Sequence, residues 1–160
     1  MDDEDSKMSV VVDYNKVVSA VAIAVQKAIP SGIEIPIYKE KDNDEITTPR
    51  IFVWNMDAIE TEQRTIKFKV HDVLQSMQVR FHPDEKSVNK YRDCTAFANR
   101  LLHTIREIKV DDTIIRGMEI HFDIEDTILK FYVTYKYRVV YPIDDATKMR
   151  VVTVKYLVKE

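Results

Sequence analysis

Glycine is nearly absent: the chain has only Gly32 and Gly117. Phosphate-binding loops, dinucleotide fingerprints and nucleophile elbows need glycine where backbone turns sharply or approaches a ligand. None of these can be drawn here. Cys94 is the only cysteine, so no disulfide can form within the chain, and a reducing compartment suits it. No apolar run approaches the roughly 18 residues of a membrane span, and no membrane partner is expected. The net charge of −3 lacks the basic excess of a general nucleic-acid binder. The opening residues Met1-Asp2-Asp3-Glu4-Asp5 are acidic where a secretory signal is basic, so folding in a cytosol is expected. Together the absences favour a scaffold over a nucleotide enzyme.

What remains is an ordinary soluble composition in a chain long enough for one domain with a real core. Residues 1–12 read as an acidic, mobile N-terminus, 13–142 as the folded domain and 143–160 as a C-terminal extension. From Tyr14 to Ile29 apolar residues recur at helical spacing, with Asp13 as N-cap and Pro30-Ser31-Gly32 as the stop. Ile33–Tyr38 alternates as a short strand, and Pro36 places it at a sheet edge. A charged loop, Lys39 to Thr48, leads through Pro49 to Arg50–Trp54, apolar on both faces and therefore central.

Between residues 64 and 82 two alternating runs change phase around His71-Asp72, which predicts either a hairpin or a bulge there. The apolar spacing from Val88 to Ile108 predicts a second amphipathic helix, with Ser87 as a cap. Asp111-Asp112 then reads as a turn between helix and strand.

The strongest pattern lies at 118–141. Leu129, Phe131, Val133, Tyr135, Tyr137, Val139 and Tyr141 alternate with polar residues. At about 3.3 Å per residue this strand spans roughly 40 Å, the whole diameter of a domain this size. Pairing Ile124 with Leu129 sets Phe122 opposite Phe131, Ile120 opposite Val133, Met118 opposite Tyr135, and Asp123 opposite Lys130. Aromatic pairs on one face and opposite charges on the other agree on one register. A last strand is expected over Met149–Val158. The order of helix, strands, helix, strands predicts a single α+β domain. Its antiparallel-rich mixed sheet carries both amphipathic helices on one face.

Chemistry is sparse. Glu119, His121, Asp123 and Glu125 share one strand face, where carboxylates beside an imidazole could hold a metal or serve a small hydrolase. No recognised ligand spacing supports that, and a solvated strand face is the favoured reading. Cys94 lies on the apolar face of its helix, as a structural thiol does. Trp54 and the tyrosine stripe suit core or interface packing better than base stacking.

Three segments, "IYKEKDNDEITTPRIFVW", "MQVRFHPDEKSVNKYRDCTAFANRLLHTIREI" and "GMEIHFDIEDTILKFYVTYKYRVVY", carry a family pattern. It comprises Tyr38 and Glu40, Pro49, Phe81 and Pro83, Leu101 and Leu102, then Asp126, Leu129, Phe131, Val133 and Tyr135. The chain resembles the tail terminator proteins of long-tailed phages and prophages over roughly residues 13–141. The family's turn glycine is Thr127 here, and a four-residue loop from Glu125 to Ile128 would spare it positive φ. The resemblance implies a ring, usually of six copies, that caps the tail tube, stops its growth and joins the head connector. It implies no cofactor and no reaction. The implied partners are the chain itself, the tail tube protein, the neck or connector protein and, in contractile tails, the sheath. Phage DNA would pass through without specific binding. The virion tail or neck is the expected location, after assembly in the host cytoplasm. Another neck, head-completion or sheath-associated role is the alternative. Tyr137, Val139, Tyr141 and Tyr156 are the expected oligomer contacts, and Glu119 and Asp123 the expected channel lining.

Overall fold

A computed structural model describes residues 14–43, 48–64, 68–142 and 155–157. Helix α1 (Tyr14–Ala28) is followed by β1 (Ile37–Tyr38), β2 (Arg50–Arg64) and β3 (Phe68–His82). Helix α2 (Lys90–Thr104) precedes β4 (Glu107–Val110), β5 (Thr113–Glu125), β6 (Ile128–Pro142) and β7 (Lys155–Leu157). The sheet order is β1-β2-β3-β6-β5-β4, with β7 also paired to β6. Among the described residues only the β1–β2 pair is parallel. This is the expected α+β domain, in the expected order of elements.

Both helices pack on one face. Val17, Val21 and Val25 of α1 and Cys94, Phe97 and Leu101 of α2 bury against the sheet. The sheet answers with Ile51 and Val53, alternate residues of β3 from Val73 to Phe81, and alternate residues of β6 from Leu129 to Val139. The long strand is the spine of this sheet. β3 pairs with β6 from Phe68↔Pro142 to Phe81↔Leu129 without a register break. On its other side β6 takes β5 along its first half and β7 near its end.

The hairpin register is as expected for Ile124↔Leu129, Asp123↔Lys130, Phe122↔Phe131 and Ile120↔Val133. It then departs. Gly117, not Met118, lies opposite Tyr135, because a bulge falls between Gly117 and Glu119. A Cβ on Gly117 would stand 2.8 Å from Val133 Cγ2, so the strand can come this close only with glycine there.

The turn also differs from expectation. Glu125 pairs with Ile128, leaving the two-residue loop Asp126-Thr127 rather than four residues. Both residues have positive φ, 53° and 61°, as a type I′ turn requires. Thr127 is β-branched and pays for the left-handed region with roughly 1–2 kcal/mol of steric cost. Thr127→Gly should therefore stabilise the protein by about 1 kcal/mol once glycine's greater unfolded-state freedom is set against the relief. Urea unfolding should show a higher midpoint with an unchanged slope. A lower midpoint would contradict the turn geometry.

Other boundaries move. The strand expected over Ile33–Tyr38 shortens to Ile37–Tyr38 and does lie at the sheet edge, with Pro36 O accepting from Ile51 N–H. Helix α2 ends at Thr104 instead of reaching Ile108. Ile108 and Val110 bury from strand β4, so Asp111-Asp112 turns between two strands. Asn89 is the N-cap, with no side-chain cap bond, while the Ser87 hydroxyl donates to Asp93. Neither a hairpin nor a bulge occurs at His71-Asp72: β3 runs straight through, antiparallel to β2 as far as Arg64↔Lys69. Near the start of α1 the Gln75 amide reaches Tyr14 O at 3.3 Å. Past that level, Glu60, Glu62 and His71 put polar side chains on the helix side, and His71 pairs with both glutamates. Asp13, the N-terminal 1–12 segment and most of the expected Met149–Val158 strand lie outside the described residues.

Candidate assembly surfaces

Four features of this sheet could carry function: its helix-free face, its two incompletely covered edges, the far end of β6, and a buried charge cluster beside β3.

The helix-free face of β5 presents Glu119, His121, Asp123 and Glu125, all exposed, as strand alternation requires. Opposite them on β6 stand Thr134, Tyr132, Lys130 and Ile128. His121 stacks on Tyr132 with ring centroids 4.6 Å apart. Lys130 Nζ donates to Glu125 Oε1 at 2.9 Å, so the ion pair runs diagonally although Asp123 is the residue directly across. That contact holds the Glu125 carboxyl below its ordinary range and the Lys130 ammonium above its own. Among the described residues no three histidine, cysteine, aspartate or glutamate side chains converge to hold a metal ion. Glu119, His121 and Asp123 thus share one exposed face.

The expected oligomer contacts divide. Tyr137 and Val139 are each 1% exposed. Their side chains face the subunit's own core and not its boundary. Tyr137 donates its hydroxyl to Gln75 Oε1 at 3.0 Å, and Tyr135 donates to Ile105 O at 2.7 Å. Burial pushes the Tyr135 hydroxyl well above its ordinary pKa, so it stays a donor. The side chains of Tyr141 and Tyr156 lie outside the described residues; their backbones pair with Lys69 and Val139.

Cys94 is buried, and its thiol donates to Thr127 O at 3.4 Å. Burial first, and the Asp93 charge second, push its pKa up to about 11. The thiolate needed for nucleophilic chemistry is scarce at neutral pH, in keeping with a structural thiol.

The charge cluster was not foreseen. Asp42, in the loop after β1, accepts from His82 Nε2 at 2.6 Å and from Arg80 Nη1 at 3.4 Å. Its side chain is 1% exposed. The Arg80 guanidinium lies 5.3 Å from the Trp54 ring centroid, and Tyr38 stacks on Phe52 nearby. This cluster ties the loop to the helix-free face. Its residues are structural in their contacts.

The edges were likewise not foreseen. β1 covers β2 only at Ile51 and Phe52, and β4 covers β5 only from Thr113 to Arg116. A lone glycine within a strand is a bulge signal, so Gly117 could have marked where β5 comes free.

No curated protein matches the chain. A family model described as phage tail terminator protein matches residues 17–147, from the first turn of α1 to just beyond β6. The chain belongs to the phage tail terminator family.

Proposed function

We propose that this chain assembles into a ring that caps the phage tail tube, ends its polymerisation and offers the surface to which the head connector joins. The family match over residues 17–147 carries this reading. The mechanism is geometric: one face of the ring takes the place of the next tube layer, and the other does not accept a tube subunit. No cofactor or bond-making step is needed. A six-copy ring is the form that the resemblance implies, with the tube protein and the neck protein as its partners.

Glu119 and Asp123 are proposed to line the channel. Both are exposed on the helix-free face, where carboxylates would repel passing phosphates and keep the DNA from sticking.

Sedimentation and particle imaging of the purified protein with tube protein should show rings seated on tube ends. Deleting the gene should give overlong tails. Unstable heads with tails of normal length would instead assign the chain to head completion, and a strict monomer that ignores tube ends would reject the ring.

A further inference from the structure

We propose that the ring, on the reading above, is joined edge to edge. In this joint the free edge of β2 in one copy docks on the free edge of β5 and the adjoining α2 surface of the next.

The two edges are complementary in backbone and charge. Among the described residues no strand pairs with the outer side of residues 57–64 of β2 or 118–125 of β5. Such rows of backbone donors and acceptors are templates for another strand. Each free stretch begins at a bulge, at Met56 and at Met118, and both methionines are exposed. Ile59 is exposed on the first edge and Phe122 on the second. Phe122 also walls a groove of about 390 Å³ between β5 and α2, with Arg92, Thr95, Ala96, Asn99 and Leu102.

Charge decides which edge meets which. Residues 57–64 carry Asp57, Glu60 and Glu62, with Arg64 at the far end as the one base. Pairing β2 with a second β2 would set three carboxylates against three, and such like-charge contact is costly. Where a sheet continues from copy to copy, its faces continue too. Glu60 and Glu62 lie on the helix side, opposite Val73 and His71. They would therefore meet the helix side of β5, where Arg92 stands at the groove with no acidic partner among the described residues. The carboxylates of Glu119, Asp123 and Glu125 lie on the other side. There β2 offers Ile59, Thr61 and Gln63, with Asp57 its single acid.

The edges lie at opposite ends of the sheet, so the contact is heterologous, the kind that closes into rings when its rotation permits. They are also diagonal: the middle of one free stretch is level with about residue 137 of β6, and that of the other with about residue 131. Joined copies would step about 20 Å along the strands for every four strand spacings, about 19 Å, across them. Strands would then tilt about 45° to the ring axis, near the tilt of closed barrels.

Cysteine pairing tests the joint. Ile59→Cys protein is mixed with His121→Cys or with Asp123→Cys protein and oxidised in the assembled state, with wild type as the control for buried Cys94. The expected result is covalent dimers containing one chain of each kind, and a ladder up to the ring from the double variant Ile59→Cys, Asp123→Cys. Arg92→Glu should weaken assembly about tenfold, and adding Glu62→Arg should restore it. Rings that form yet give no mixed dimers, or only dimers of like chains, overturn the joint and leave the ring standing. A monomer under every condition overturns both.

Discussion

Phe131→Ala should destabilise the protein by about 3–5 kcal/mol, the usual cost of emptying a phenylalanine site in a core. Phe131 is fully buried in β6, the spine of the sheet, between Val79 of β3 and Phe122 of β5. Neighbours on three sides belong to strands or helices that cannot move inward independently, so little of the cavity will close. For a chain of this length the loss corresponds to a fall in melting temperature of roughly 10 °C or more. Phe122 provides the internal comparison. Its ring lies parallel to that of Phe131, 6.0 Å away, but is 38% exposed. Phe122→Ala should cost about 1 kcal/mol. If Phe122 sits in the joint between copies, its loss should instead appear in the assembly state. Denaturant unfolding of both variants checks the first claim and sedimentation the second. A cost below about 1 kcal/mol at Phe131 would mean that the spine is not packed as described.

The hairpin around Phe131 was legible in the sequence because two independent constraints act on one register. Aromatic pairing on the helix side and charge pairing on the other side select the same alignment, and a one-residue slip would break both. Helix α1 was legible because nothing competes with its period, and β1 because Pro36 removes a donor. The failures have equally physical causes. Leu101, Ile105 and Ile108 satisfy helical spacing, yet Ile108 buries from a strand; only the Ile108–Lys109–Val110 alternation separates the two readings, and it is too short to compete. The pairing of Met118 with Tyr135 came from extending a sound register across Gly117, where the bulge resets it. The phase change at His71 records a polar residue at a helix-side position that pairs with Glu60 and Glu62 of the neighbouring strand, a partnership no local pattern states.

Site residues followed the same division. The shared face of Glu119, His121, Asp123 and Glu125 is a consequence of strand period and was read directly. Burial of Tyr137 and Val139 was not, because alternation shows that a face is apolar without showing whether core or neighbour covers it. The free edges depend on how short β1 and β4 are, a property of strand ends, where sequence signals are weakest. Asp42 and His82 are 40 residues apart in the chain, and a carboxylate in a charged loop carries no mark of its distant partner.

That pair yields the second large effect. Asp42→Ala should cost about 2–3 kcal/mol, because removing one member of a buried ion cluster strands the others. His82 is 10% exposed and Arg80 25% by side chain, so water recovers part of the loss at Arg80 and keeps the cost below the full range for buried pairs. Arg80 Nε already lacks a hydrogen-bond partner among the described residues, which leaves its guanidinium dependent on Asp42 and the Trp54 ring. Asp42→Asn retains an acceptor for His82 at nearly the same volume and should keep at least half of the stability lost in the alanine variant. The double variant Asp42→Ala, Arg80→Met separates charge from packing. If a stranded cation is the cause, replacing it by an apolar side chain that still covers Trp54 should recover about half of the loss. Additive losses would show instead that the loop is held by contacts other than charge. Chemical unfolding of the wild type, these three variants and Arg80→Met alone, all at one pH, decides between the two.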